Sequence, residues 1–389
     1  MGEVANIPQL RFPEFSNEWE ESKVGKVFKV SAGGDIKTEN VSQIKTDGFP
    51  YPIYANAEKA KGLYGYSNLY KSEANVVTVA GRGVNIGIAH VRLEPFYPIV
   101  RLLVLNPIKD ADVKFWENQL NQLNLFVEST GVPQLTAPQI SSYKVKYPSK
   151  PEQQKIAAFL TAVDNKIEQL SKKQELLGEY KKGLMQQIFS QAIRFKADDG
   201  SDFPDWEEKK LGDVAEIVGG GTPPTAVEKY WNGNIQWFTP TEIKSKFIVN
   251  SKRTITQVGL DTSSAKLLPK GTLLFSSRAT VGEVGIAVQE CTTNQGFQSF
   301  IVNKNNEPEF LYNWIIKNKK EFIRRASGST FLEIGKSEIK KIKLHIPALP
   351  EQTKIANFLS SIDSKIEQVG KQLDESKQFK KALLQQMFI

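Results

Sequence analysis

A chain of 389 residues, 40% hydrophobic and 24% charged, is long enough for two ordinary domains that each bury a core, and its lack of low-complexity tracts excludes a disordered protein. Its 51 Lys and Arg against 43 Asp and Glu leave a net charge of +8, which suits a polyanionic partner without requiring one. The single cysteine, Cys291, excludes an internal disulfide, and with only His90 and His345 there is no metal-ligand cluster to propose.

Residues 1–150 form the first segment in chain order. Met1–Leu10 lacks the charged-then-apolar pattern of a signal peptide. No apolar run approaches the roughly 18 residues of a membrane span. Pro98–Leu105 is broken by Arg101, so the expected compartment is the cytoplasm. Short β-branched runs at Val76–Val79, Ile86–Val91 and Ile99–Val104 alternate with Gly, Asn and Pro turns and predict strands; Asp112–Glu128 reads as a helix. Basic, amide and aromatic residues cluster in expected loops at Lys59, Lys61, Tyr64, Tyr66, Arg82 and Asn85. Arg and Lys can contact phosphates or guanine edges, and Asn can pair with adenine. Each of these residues also has a plain reading as solvated surface.

Residues 151–190 predict one long helix. Pro151-Glu152-Gln153 opens it, because proline suits the first turn and an early carboxylate suits the positive end of the helix dipole. Apolar residues then recur in steps of four and three at Ile156, Leu160, Val163, Ile167, Leu170, Leu177, Leu184 and Ile188. A spacing averaging about 3.5 residues is that of a coiled-coil seam, interrupted here at Gln174 and Lys181.

Residues 191–349 start the chain over. Trp206-Glu207-Glu208-Lys209-Lys210-Leu211-Gly212 repeats Trp19-Glu20-Glu21-Ser22-Lys23-Val24-Gly25 at an offset of 187. Thr272–Phe275 leads into Arg278 much as Val76–Ala80 leads into Arg82-Gly83. Gly285–Val288 and Ser299–Val302 read as strands and Glu309–Arg325 as a helix. Gly219-Gly220-Gly221-Thr222-Pro223-Pro224 is a turn without the Lys-Ser/Thr of a P-loop or the spacing of a dinucleotide fingerprint. Loop candidates for polyanion contact are Tyr230, Trp231, Lys244, Lys246, Arg253 and Arg278.

Residues 350–389 repeat 151–190 at a constant offset of 199, with about half of the positions identical. The second seam is Ile355, Leu359, Ile362, Ile366, Val369, Leu373, Leu383 and Met387, interrupted at Ser376 and Lys380. Only about Ser190–Asp205 connects the first helix to the second segment. A parallel pair would force the chain back along about 55 Å of helix at 1.5 Å per residue, whereas an antiparallel pair needs no return. The expectation is α+β: two mixed α/β domains joined by two long helices in an antiparallel coiled coil, a pseudo-two-fold internal repeat. Two amphipathic helices, each packed on its own domain, are the alternative.

The whole chain resembles the specificity subunits of type I restriction–modification systems. The resemblance rests on the paired helices opening Pro151–Leu160 and Pro350–Leu359, on the Trp19 and Trp206 entries, on Gly220-Gly221-Thr222-Pro223 with Tyr230-Trp231, on Thr293-Asn294-Gln295-Gly296-Phe297, and on Ala326-Ser327-Gly328-Ser329-Thr330. Thr222 joins the DNA-contact candidates through that motif. The first segment contains neither Gly-Gly-Thr-Pro nor Thr-Asn-Gln-Gly. The resemblance implies target recognition domains at 1–150 and 191–349, spacer helices at 151–190 and 350–389, and double-stranded DNA as ligand. It also implies two modification subunits as partners, carrying S-adenosylmethionine for adenine N6 methylation, with room for two restriction subunits that use ATP and Mg. No cofactor, metal or catalytic residue is expected in this chain, which lacks an Asn/Asp-Pro-Pro-Tyr/Phe motif, and no membrane is expected as partner. Two other readings stay open: an autonomous endonuclease or methyltransferase, pointed to by Asp205 with Glu207-Glu208-Lys209, and a coiled-coil scaffold that reads no DNA.

Overall fold

The computed structural model describes residues 7–57, 59–123, 125, 133–328 and 332–389, with the side chains of 59 and 60 left aside. The chain divides into two compact units, one of residues 1–172 and 370–389 and the other of residues 173–369. Each unit is mixed α and β, and each carries parts of both long helices, Lys150–Phe189 and Leu349–Met387. Among the described residues no helix is long and apolar enough to cross a membrane.

The first unit has an antiparallel four-stranded sheet in the order Phe28–Ala32, Leu103–Pro107, Val76–Val79, Ala89–Arg92. Val76–Val79 is buried at every position, as a central strand covered on both faces requires. A smaller sheet orders Val41–Ser42, Leu63–Ser67, Tyr51–Tyr54 and Tyr97–Pro98, and a ribbon pairs Glu20–Lys23 with Lys144–Tyr147. The second unit repeats the frame. Ala215–Gly219, Gln298–Val302, Leu273–Phe275 and Val284–Ala287 stand in the same order, extended by the parallel strand Phe247–Ile248. A three-stranded sheet of Arg253–Ile255, Trp231–Phe238 and Cys291–Thr293 accompanies it, and Glu207–Lys210 pairs with Lys343–Ile346.

Several expected elements shift. Ile99–Val104 is not one strand: Val100 and Arg101 have φ of 51° and 59°, which ends any extended run before Leu103. Ile86–Val91 contributes only from Ala89 onward, its first residues forming a turn in which Gly87 N–H donates to Ala80 O. Glu309–Arg325 is two helices, Pro308–Lys317 and Lys319–Arg325, broken at Asn318. The Asp112–Glu128 helix spans Val113–Asn121, with Asp112 capping the amides of Lys114 and Phe115; residues 126–128 lie outside the described residues.

The Pro-Glu-Gln motif proves to be a joint between helix and domain. Glu152 is 1% exposed and Glu351 is fully buried, so each carboxylate must be paired. Arg11 donates to Glu152 from Nε and Nη2 at 2.7 Å each, and Trp19 Nε1 adds a third bond at 3.4 Å. In the second unit Arg194 donates to Glu351 at 3.3 and 2.8 Å, with Trp206 Nε1 at 3.2 Å. Pairing with the carboxylates holds both guanidinium pKa values above their ordinary range. The next residue secures the domain's own helix: Gln153 Oε1 accepts from Asp112 N at 3.0 Å, and Gln352 Oε1 accepts from Glu307 N at 2.9 Å.

The ends of the long helices are built into the cores. In the first unit Ile156, Ala157 and Leu160 share a core with Leu383, Met387 and Phe388. In the second, Met185 and Ile188 share one with Ile355, Ala356 and Leu359. The start of one helix thus packs with the end of the other in each unit, which makes the pair antiparallel. Every seam residue is buried or half-buried: Val163, Ile167, Leu177, Leu184 and Ile366 are half-buried, and Leu170, Ile362, Val369 and Leu373 buried. The two lysines that interrupt the seam have cross-helix partners. Lys380 Nζ donates to Asp164 at 2.6 Å, and Lys181 Nζ to Asp363 at 2.5 Å.

Glu152→Ala strands Arg11 and Trp19 in the core and should cost about 3–5 kcal/mol, the usual price of breaking a buried pair. Calorimetry of the full chain should show the first unit's transition shifted down while the second unit's stays put. Asp363 also faces Lys246 Nζ at 3.4 Å, whereas Asp164 serves Lys380 and is more exposed. Asp363→Ala should therefore lower its unit's melting midpoint more than Asp164→Ala lowers the other; equal shifts would deny the shared role.

Candidate nucleic-acid interface

At one end of each large sheet the strand connections are tied into a loop cluster. In the first unit Gly33-Gly34 leaves the strand Phe28–Ala32 and is gripped by the turn at Val100 and Arg101. Gly33 N donates to Leu102 O at 2.7 Å, Arg101 N to Gly33 O at 3.0 Å and Val100 N to Gly34 O at 3.1 Å. A Cβ on Gly33 would lie 2.7 Å from Pro98 O, so only glycine lets the two backbones approach this closely. Asn56 staples two loops, donating to Val100 O and accepting from Gly81 N at 2.9 Å. Beyond Gly81, Arg82 bridges to Gln134, and Arg101 Nη1 donates to Gln134 Oε1 at 3.1 Å. Arg82 and Arg101 are both exposed.

The second unit builds the same cluster from different residues. Gly220 N donates to Phe297 O at 3.4 Å and Gly221 N to Thr293 O at 2.8 Å, and a Cβ on Gly220 would overlap Asn294 O and Thr293 Oγ1. Strand register makes Gly33 and Gly220 counterparts, as it does Leu102 and Phe297. The two-glycine turn is therefore present in the first unit even though its Gly-Gly-Thr-Pro string is not. Thr222 Oγ1 donates to Gln295 Oε1 at 2.5 Å. Trp237 Nε1 donates to Gly221 O at 2.9 Å and Trp231 Nε1 to Pro224 O at 3.2 Å, pinning the turn from below. Arg278 bridges to Glu333 as Arg82 does to Gln134, and Ile334 N donates to Ser277 O as Leu135 N does to Gly81 O. Arg278 Nε stands 3.7 Å from Glu333 Oε2, a half-exposed pair that leaves the cation largely available.

The remaining candidates are spread more widely. Lys61 is exposed on the 3-10 turn Lys59–Gly62 with φ of 54°; the Lys59 side chain lies outside the described residues. Tyr64 is exposed on the next strand, and Tyr66 is half-buried there. Asn85 is half-buried in the loop that carries Arg82. Arg253 is exposed but stacks 3.5 Å over Trp231, itself buried, and Tyr230 is half-buried just before it. Lys244 is exposed. Lys246 is not with the others: its Nζ donates to Glu309 at 2.7 Å and to Ser360 at 2.8 Å, tying the sheet edge to a long helix. Arg101 and Gln134 escaped the sequence reading. The 187-residue offset, followed from Trp19 to Gly33, would have located the two-glycine turn; Arg101 reaches it from the turn before a strand whose offset is 195, so the same step does not find it.

The family model for the type I restriction modification DNA specificity domain matches residues 16–177 and 204–376. The chain belongs to that family and is a specificity component, not a catalyst. It is 39% identical over 191 residues to the type I restriction enzyme MjaIX specificity subunit of Methanocaldococcus jannaschii, covering 47% of this chain and less than half, 44%, of that protein. The MjaVIII specificity subunit of the same organism is 25% identical over 307 residues, 74% of this chain and 71% of that one. The crystal structure of the type I S subunit from M. genitalium superposes over 98% of this chain and 99% of its own with a TM-score of 0.65; at 16% identity that likeness concerns the fold.

Gly220→Ala forces the Thr293–Phe297 turn away and should destabilise the second unit by about 1–3 kcal/mol, the range for overpacking. Gly48→Ala, where a Cβ would come no nearer than 4.0 Å to any neighbour, is the control expected to leave the melting midpoint unchanged.

Proposed function

We propose that the chain reads a bipartite, asymmetric double-stranded DNA site, one half with each loop cluster. The observation that supports this most is the pair of counterparts Arg82 and Arg278, placed at the same point of two equal frames whose surrounding loops differ. Cations at such points supply phosphate affinity and salt dependence, and the unlike loops supply different base contacts. The helix pair, on this reading, sets the gap between half-sites and docks two modification subunits that carry S-adenosylmethionine and methylate adenine N6. Restriction subunits using ATP and Mg can join the same assembly, which works in the cytoplasm.

The test is to express the chain with its modification subunit in a methylation-free host and map N6-methyladenine at single-base resolution. One split, asymmetric motif that vanishes when this chain is omitted is expected, and exchanging residues 191–349 for another such segment should alter one half alone. Arg82→Ala should weaken DNA binding on all sequences and reduce the slope of log K against log salt by about 0.9. Methylation without this chain, or at unsplit motifs, would refute the reading.

A further inference from the structure

The first unit carries a cavity where its counterpart carries a buried apolar cluster. On one face of the large sheet lies a cavity of about 190 Å³, walled by three alanines, Ile88 and Leu102 and by the polar residues Thr78, Asn85, His90 and Arg92. That volume has room for several waters. Arg92 is 4% exposed. Its Nε donates to Thr78 Oγ1 at 2.9 Å, its Nη2 to Lys61 O at 2.7 Å, and its guanidinium lies 3.6 Å over the Tyr54 ring. Burial drags its pKa below the ordinary value, and among the described residues no carboxylate stands within ion-pair distance of it. Among the described residues the Asn85 side-chain amide has no acceptor, and Arg92, whose guanidinium also meets the Tyr54 side chain, lines the cavity beside it. Glu117, an acid whose charge reaches Arg92, accepts from Val91 N and faces His90 Nδ1 at 3.6 Å.

By strand register the counterparts of Thr78, His90 and Arg92 in the second unit are Leu274, Gly285 and Ala287. There the same face carries a buried apolar cluster that includes Phe238, Ile248, Leu268, Leu274, Ala287 and Phe297. The frame can evidently close this face with apolar side chains, which is commonly as stable as an ionic arrangement or more so. A buried cation without a carboxylate partner beside a cavity is the costlier solution, and an anion in the cavity would offset that cost.

We propose that this cavity binds a phosphate group, with Arg92 as the charged donor and Asn85 as the neutral one. The phosphate is either free or part of a DNA backbone, since Asn85 shares its loop with Arg82. The site stands on the cavity and not on the DNA-reading proposal, and one arm of the test uses no DNA. In that arm inorganic phosphate is titrated into the purified full chain by calorimetry at fixed ionic strength. Saturable binding is expected, lost in Arg92→Gln and weakened about tenfold or more in Asn85→Leu. Arg92→Lys, which keeps the charge, serves if the glutamine variant fails to fold. In the second arm the salt slope of binding to a duplex is compared for wild type and Asn85→Leu. A slope smaller by about 0.9 in the variant assigns the cavity to a backbone phosphate. Phosphate binding with an unchanged slope assigns it to a free anion. Absence of both effects would overturn the proposal.

Discussion

Everything else in this molecule hangs on a carboxylate in the first turn of each long helix. Glu152 and Glu351 suit the positive helix end, but at 1% and 0% exposure that alone would not offset the cost of burying a carboxylate. The arginine and tryptophan that meet each one come from the segment leading into the same domain, so one joint fixes the entry of the chain, the first ribbon strand and the helix. The adjacent glutamine then holds the N-cap residue of the domain's own helix. The joint is polar and directional, so it fixes orientation, where an apolar contact would tolerate sliding. Phe12 against Phe159 and Phe195 against Phe358, both edge-on, complete it with contacts of the same kind in both units.

Such a joint frees the rest of each domain to vary. The central strands keep one order in both units because their backbone bonds and buried faces allow no slip. The loops at the sheet end are constrained only where backbones touch, at Gly33 against Pro98 and at Gly220 against Asn294. Between those fixed points the contents differ freely: Arg101 and Gln134 in one unit, Gln295 and Glu333 in the other. Even the second face of the large sheet is negotiable, covered by an apolar cluster in one unit and holding Arg92 beside a cavity in the other.

The parts legible in the sequence are those whose signal is periodic or duplicated. The seam was readable because apolar residues at a 3.5-residue spacing recur over five turns and more, and the repeat because 40 residues reappear at a fixed offset. The breaks at Lys181 and Lys380 looked like defects because the ion-pair partners, Asp363 and Asp164, lie 182 and 216 residues away. Distance along the chain hid the Arg11–Glu152 joint in the same way. The site was less legible. Val100 is β-branched, and no composition rule foretells its left-handed backbone, which only the grip on Gly34 explains. Lys246 was grouped with the exposed cations by its loop setting, yet the acids that claim it come from two different helices.

The two arginines that mark the loop clusters are counterparts in place but not in surroundings. Arg82 pairs through its backbone with a neutral glutamine, whereas Arg278 has Glu333 opposite its guanidinium. An anion approaching Arg278 must compete with that carboxylate, and one approaching Arg82 meets no such rival among the described residues. At 3.7 Å and half exposure the competing pair contributes less than about 1 kcal/mol, so it tunes the cation without disabling it. A frame that holds both cations at one point while altering what faces them can change strength and preference independently in each unit. That independence is the physical content of the repeat: the joint conserves position, and the loops are left to decide chemistry.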